Sequence, residues 1–244
     1  MPTRIVAFLI HLTVSAVIAL IAALLVYRLW YPAPLHEALG VTRIFLLLLL
    51  VDITLGPIFT LVIFKVGKKT LVTDILAIGC LQLSALGYGL WTVAEGRPVW
   101  IVYNSDRFDV VTVVDIDIRQ LDKALAQYRS IPWSGPKWVG AVKPDDPEQR
   151  NHILFEALQG GSDIAQRPHL YRPLTEMAEA IRKRALPLEK LIDVNDRTTV
   201  RSALQNWPRA SSWVPLMARD KPMVVLLGED KNEVIAIIDL KPWR

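Results

Sequence analysis

Three long runs of apolar residues open the chain, at about 5–26, 44–64 and 71–93. Each holds about 20 residues or more, enough to cross about 30 Å of hydrocarbon as a helix. Three transmembrane helices are therefore predicted. After residue 96 the pattern shortens. The β-branched runs 99–103 and 110–115, parted by the polar 104–106, predict two strands. Ile118, Leu121, Leu125 and Tyr128 recur at three- and four-residue spacing, which predicts a helix stopping before Ile131-Pro132. A short strand is expected over 137–142. Asp146, Pro147 and Glu148 supply a cap oxygen, a first-turn proline and an acid near the positive end of a helix, and Gly160-Gly161 supplies its stop. Two more helices are expected over 172–185 and 196–207, the second capped by Asp196. Apolar runs at 223–227 and 234–238, joined by the charged turn 229–233, predict a terminal hairpin. Strands, then helices, then a hairpin suggest an α+β domain. The expected division is a three-span part over 1–96 and an α+β domain over 97–244.

Composition sharpens this division. The chain has 244 residues, 52% of them hydrophobic and 21% charged, with a mean hydropathy of +0.31, too apolar for an ordinary soluble protein. Only six of the 28 Lys and Arg and four of the 24 Asp and Glu precede residue 96. Arg4 before the first run would also suit a cleaved signal peptide, but such peptides have an apolar core of about 7–15 residues and this run is longer, so it is read as an anchor. Cations in short loops stay in the cytoplasm. Lys65, Lys68 and Lys69 crowd the turn between the second and third runs, which places that turn and the N-terminus inside and the chain beyond Val93 outside. Tyr27, Trp30, Tyr31 and Trp91 form the matching outer aromatic belt, while Arg28 and Arg43 weaken the charge count slightly.

This topology leaves the cytoplasm a few residues and one basic turn, so kinase, ATPase or DNA-reading functions are excluded. The net charge of +4 does not point to nucleic acid either, because residues 97–244 carry 22 basic and 20 acidic side chains, intermixed. Cys80 lies inside the third run, so the exported domain is expected to fold without a disulfide.

Candidate chemistry is sparse. Asp52 sits about eight residues inside the second run, where a charge costs at least ~2.5 kcal/mol and normally faces a partner or a cavity. At about 1.5 Å of rise per residue, Asp52, Gln82 and Ser15 share one depth. Three readings stay open: a neutral Asp52 bonded to Gln82 within the bundle, a polar contact offered to another protein's transmembrane helix, or a proton relay. Gly56-Pro57 one turn later would kink the helix and expose polar backbone beside Asp52. Small residues Ser15, Ala19 and Ala23, and Ala85 with Gly89, would permit close helix approach. Ser134 and Lys137 have a Ser-x-x-Lys spacing but lack its companion motifs, His152 and His169 are isolated, and Gly160-Gly161 lacks the residues of a phosphate loop. Asp106-Arg107-Phe108 reads first as turn chemistry between two strands. No catalytic residue, metal ligand or cofactor site is expected.

Several of these pieces together resemble the TfpX/TfpZ family of type IV pilin accessory proteins. The matching positions are Asp52, Gly56 and Pro57 in the second run, Gln82 and Tyr88 in the third, Arg97-Pro98 at its exit, Asp106-Arg107-Phe108 beyond it, and Pro242-Trp243 near the end. The resemblance is densest from Asp52 to Phe108, and the stretch 133–210 matches by length and helix content alone. It implies a non-enzymatic accessory factor in the bacterial inner membrane, with a cytoplasmic N-terminus and a periplasmic α+β domain, that stabilises or presents a type IV pilin, the major pilin, before assembly. The partners expected are that pilin and the lipid bilayer, with a homo-oligomer left open. The candidate contacts are Asp52, Gly56, Pro57, Gln82, Tyr88, Asp106, Arg107 and Phe108. The rival reading is an envelope enzyme or maturation factor anchored by its spans, which would need a nucleophile and base that the sequence does not bring together.

Overall fold

The computed structural model describes residues 2–231 and 233–243. Three helices are long and apolar enough to cross a membrane, over Thr3–Trp30, Val41–Ile63 and Leu71–Glu95. The first comprises α1 (Pro2–Leu24) and a wider π-helical end, Leu25–Trp30. A short helix α2 (Leu35–Ala38) lies in the loop before α3 (Val41–Ile63), and α4 (Leu71–Glu95) completes the set. Helix α3 is the middle member, packed along α1 on one side and α4 on the other. Small residues allow this. Ala19 and Ala22 are buried in one cluster with Phe45 and Leu49 of α3, and Ser15 is buried one turn before them. On the other side a Cβ at Gly89 would meet the Leu48 side chain, so the bare backbone lets α3 and α4 approach closely as they stand.

An α+β domain follows, built on one eight-stranded sheet. Its strands are β1 (Pro98–Asn104), β2 (Arg107–Thr112), β3 (Lys137–Ala141), β4 (Tyr171–Pro173), β5 (Leu186–Pro187), β6 (Ser212–Met217), β7 (Met223–Leu227) and β8 (Val234–Ile238). The order is β4-β3-β1-β2-β6-β7-β8, with β5 pairing the start of β6. β1 and β2 form an antiparallel hairpin, β3 runs parallel to β1, and β6 runs parallel to β2. The expected terminal hairpin is β7–β8; Asn232 of its predicted turn lies outside the described residues. Helices α5 (Pro147–Leu158), α6 (Ala178–Arg184) and α7 (Arg197–Leu204) lie among the later strands. Asp146 and Asp196 cap α5 and α7 as the sequence suggests.

Both faces of the sheet are covered, which is why every residue of β1 is buried and its sequence shows no polar alternation. Ile101, Tyr103, Phe108, Val214, Leu216 and Val225 point to one face, where Ile181 of α6 packs. Trp100, Val102, Val111 and Val139 meet Tyr128 and Tyr171 on the other.

The loop between the first two long helices belongs to that first core. Leu35 and Ala38 are 2% and 0% exposed and pack in the cluster with Ile101, Phe108 and Val225. The Ala38 carbonyl accepts from the backbone N–H groups of Asp220 (3.1 Å) and Lys221 (3.0 Å). Gly40 turns the chain into α3 at φ 68°, with the Asp220 carboxyl 3.1 Å from where a Cβ would be. Further ties are Gly135 N–H to the Leu29 carbonyl at 2.6 Å and Tyr31 O–H to the Val93 carbonyl at 2.8 Å.

Three predicted elements change. The helix expected over 118–128 is instead two single 3₁₀ turns, Leu121–Lys123 and Ala126–Tyr128. The apparent stripe does not face one core: Tyr128 is buried, whereas Ile118 and Leu125 are 67% and 45% exposed. Asp117 accepts from the Arg119 backbone and guanidinium, holding the chain in a turn where a helix would start. The helix expected over 172–185 is interrupted because Tyr171–Pro173 pairs with β3, and α6 starts only at Ala178. The strand expected over 110–115 ends at Thr112, where Thr112 and Asp115 cap a 3₁₀ turn reciprocally. Strand β6 lies over a stretch for which no element is predicted, and it contains Pro215. That proline lies between the part of β6 that pairs with β5 and the part that pairs with β2.

Two outcomes follow for stability. Leu35→Ala should destabilise the sheet domain by about 2–4 kcal/mol although residue 35 is in a loop between helices, read as a lower denaturant midpoint of the full-length protein in detergent. An unchanged midpoint would mean that the loop is not part of the core. The second concerns acid. Arg119, with help from Ser162, holds the Asp117 carboxyl well below the usual carboxylate range. A lowered folded-state pKa contributes stability that is present above the unfolded value, about 4, and is lost as pH falls through the folded one. Stability should therefore drop below about pH 4, and Asp117→Asn should flatten that dependence in unfolding curves taken across pH.

Candidate functional site

The polar residues of the long helices converge at one place. His11 of α1 contacts Thr60 Oγ1 of α3 through Nδ1 (2.6 Å) and Gln82 Oε1 of α4 through Nε2 (2.8 Å). Gln82 Nε2 donates to the main-chain carbonyl of Asp52 at 2.8 Å and more weakly to Ser15 Oγ at 3.5 Å. An amide oxygen only accepts, so His11 Nε2 carries a proton and a neutral His11 accepts from the Thr60 hydroxyl through Nδ1. One glutamine thus joins all three helices.

Gly56 and Pro57 make room for it. A Cβ at position 56 would lie 1.9 Å from Gln82 Oε1, so the amide lies directly on the α3 backbone. Pro57 removes the N–H that would bond the Ile53 carbonyl, loosening α3 where Gln82 enters. Asp52 is 8% exposed, and its carboxyl lies near the same amide, but the bond with hydrogen-bond geometry goes to its carbonyl. The expected Asp52–Gln82 contact is therefore present through the backbone. On one side of this cluster, a groove of about 210 Å³ between α3 and α4 is floored by Asp52, Gly56 and Gln82 and walled by Leu55, Phe59 and Leu81. On the other, a cavity of about 320 Å³ is lined by Ala7, His11, Thr60 and Gly79.

The remaining predicted residues lie elsewhere. Tyr88 is 69% exposed on α4, its ring 5.8 Å from that of Trp91, and takes no part in the cluster. Asp106 and Arg107 lie at the β1–β2 turn, about 20 Å along β1 from the end of α4 rather than beside the exit from the helices. Asp106 is exposed there. Arg107 Nε donates to Asp109 at 2.8 Å; burial pushes the Asp109 carboxyl up, while Arg107 and Asn104 pull it down. Phe108 is wholly buried between Tyr103 and Trp138, ring centres 5.3 and 5.1 Å away. It belongs to the core and is not presented at the surface.

Sequence reasoning passed over His11. Its signal was available, because an ionisable residue inside a long apolar run is unusual wherever it occurs. It also kept His152 and His169 apart, whereas both line a cavity of about 580 Å³ beside α5, with Lys123, Asp146 and Arg167. Ser134 lies in an exposed turn and Lys137 at the start of β3, so their spacing does not place them on one helical turn. Among the described residues, no three His, Cys, Asp or Glu side chains are grouped so as to hold a metal ion.

Comparison with known proteins bears on the whole chain. A sequence profile of the family described as "Fimbrial assembly protein FimB" matches residues 1–40. The fimbrial assembly protein of serogroup I from Dichelobacter nodosus is 30% identical over 237 residues, covering 93% of this chain and 92% of the relative. That of serogroup E1 from the same organism is 31% identical over 238 residues, with the same coverage. A third, from serogroups C1 and C2, is 31% identical over 117 residues, 47% of this chain and 89% of the relative. No solved structure matches. Identity at this level along nearly the full length of two relatives shows that this chain belongs to the fimbrial assembly protein family.

Proposed function

We propose that this protein is a non-catalytic accessory factor of the bacterial inner membrane that holds a type IV pilin before it is assembled into a fimbria, as the TfpX/TfpZ resemblance implies. The observation that carries the reading is the groove between α3 and α4, an almost wholly apolar surface with Asp52 and Gln82 at its floor. A carboxyl at membrane depth is costly unless a partner or cavity receives it, and walls of Leu55, Phe59 and Leu81 suit the apolar side chains of another helix. The fimbrial subunit waits with its apolar helix in the membrane and its head in the periplasm. Lys65, Lys68 and Lys69 between α3 and α4 favour a cytoplasmic turn, which would put the sheet domain on the periplasmic side, next to that head. Family membership supports a role in assembly, and the printed names of the relatives speak of assembly rather than of a reaction.

Photo-crosslinking in cells tests the reading. A probe at Leu55, which walls the groove, should give an adduct with the fimbrial subunit, and deletion of the protein should lower the amount of that subunit. A second probe at the exposed Asp106 reports whether the far end of the sheet meets the head. No adduct at either position and unchanged subunit levels would defeat the proposal. Asp52→Leu should reduce the Leu55 adduct about three- to tenfold, the range expected for one polar contact between membrane helices, while the protein accumulates normally because Gln82 keeps its bond to the backbone carbonyl. Full adduct formation and full fimbriation in that variant would remove the carboxyl from the docking surface.

Gly56→Ala should act differently. The added methyl would drive out Gln82, break its contacts with His11 and Asp52, and lower the thermal stability of the detergent-solubilised protein along with fimbriation. Normal stability with lost fimbriation would instead assign Gly56 to the contact with the partner.

A further inference from the structure

We propose that the irregular segment 113–136 of the sheet domain rests on the surface of the bilayer, with Trp133 as its anchor in the interface beside the end of the first long helix. The inference rests on the reading that the three long helices cross a membrane.

Geometry places the segment there. Gly135 N–H bonds the Leu29 carbonyl at 2.6 Å, and the Trp133 ring stands edge-on to Trp30, the last residue of the first long helix, at 6.1 Å. Arg97, two residues beyond α4, bonds the Pro132 carbonyl at 3.4 Å, and its own carbonyl accepts from Val113 N–H at 3.1 Å. The segment is thus fastened to the ends of two of the three helices that leave the membrane.

Its surface has the composition of an interfacial contact. Trp133 is 62% exposed, Ile131 38% and Val114 58%. Apolar side chains exposed together beside the ends of long apolar helices continue the hydrophobic surface that lipid covers. Trp91, 59% exposed near the end of α4, stands at the corresponding level on the third helix. Tryptophan is the residue that prefers this level, with an apolar ring for the acyl boundary and an N–H for water or a headgroup. Arg129 and Lys137, exposed on either side of Trp133, and Arg28 near the end of the first helix supply cations for the headgroup layer. A contact of this kind buries side chains about 5–10 Å into the boundary and does not cross it. What favours lipid over a protein partner is the position of Trp133 against Trp30 at the end of an apolar helix of membrane length. The consequence is mechanical. The domain is held to the membrane by two helix ends, the 31–40 loop and this segment, so that the sheet keeps one tilt over the membrane.

Fluorescence quenching in liposomes of phosphatidylcholine and phosphatidylglycerol tests it with the full-length protein. In a Cys80→Ser background, a single cysteine carrying an environment-sensitive label is introduced at Trp133, at Ile131, at Leu47 within α3, or at Asp106 at the distal turn. Lipids with a nitroxide near the headgroup should remove most of the emission at 133 and 131, and lipids with a nitroxide deep in the acyl chain should quench at 47. The label at 106 should be quenched by neither. Quenching at 47 with none at 131 and 133 would overturn the inference while leaving the membrane-spanning reading intact. Absence of quenching at 47 as well would overturn both. The label at 131 keeps the test decisive if loss of the Trp133 ring disturbs the loop against Trp30.

Discussion

Ten residues between the first two long helices determine how the rest of the molecule is put together. Leu35 and Ala38 from this loop are as deeply buried in the sheet core as Val214 or Val225 of the strands themselves. Removing one leucine from water is worth about 1.5–3 kcal/mol, and the two backbone bonds from Asp220 and Lys221 to the Ala38 carbonyl add directionality that apolar packing lacks. The sheet domain therefore completes its core with a piece of the three-helix part. A tether of ordinary linker residues would let the two halves move independently; here the loop is fixed at its middle by the sheet and at both ends by helices.

Within the helices, one amide performs the corresponding task. Gln82 reaches His11, Ser15 and the Asp52 carbonyl, and it can do so only because position 56 has no side chain and position 57 no N–H. At membrane depth an amide left without a partner has no water to turn to, so each of these contacts both places the helices and would be costly to lose. Glycine and proline one turn beyond an intramembrane acid could look like a device for opening the helix to a partner. Their first use is internal, to admit Gln82. Asp52 gives the bundle its main-chain carbonyl, and its carboxyl, beside the same amide, is the group proposed for the groove.

How much of this could be read from the sequence depended on whether the responsible forces were local. The long helices are legible because a run of apolar residues of membrane length has few other uses, and the capped helices α5 and α7 because Asp146 and Asp196 act within one turn. The 118–128 stretch misled because helical spacing of apolar residues is also what an irregular segment shows when some of them face a core and others the surface; Tyr128 goes inward and Ile118 outward. Strand β6, for which no element is predicted, accommodates Pro215 between the residues that pair with β5 and those that pair with β2. The convergence of Asp52 and Gln82 followed from shared depth along the helix axes. The role of His11, the burial of Phe108 and the insertion of Leu35 and Ala38 depend on contacts between residues tens of positions apart, and no spacing rule reaches that far.

The two fixed points together restrict how docking could work. Helix α3 starts at Gly40, pressed against Asp220 of the sheet domain, and carries Asp52 about 17 Å further along its axis. Its first turns pack on the helix that ends in the Trp30–Trp133 contact. A partner helix lying in the groove at Asp52 thus engages the same rigid element whose other end is locked into the sheet. An 11-residue length of helix bends little, so displacement at one end is felt at the other unless the loop core gives way. Holding an elongated subunit, the role proposed above, would draw on this property. A groove and a head-shielding surface joined by a flexible linker would bind the two parts of one partner at a cost in ordering entropy, whereas a preset separation removes most of that cost and admits only a partner whose own helix and head are correctly spaced.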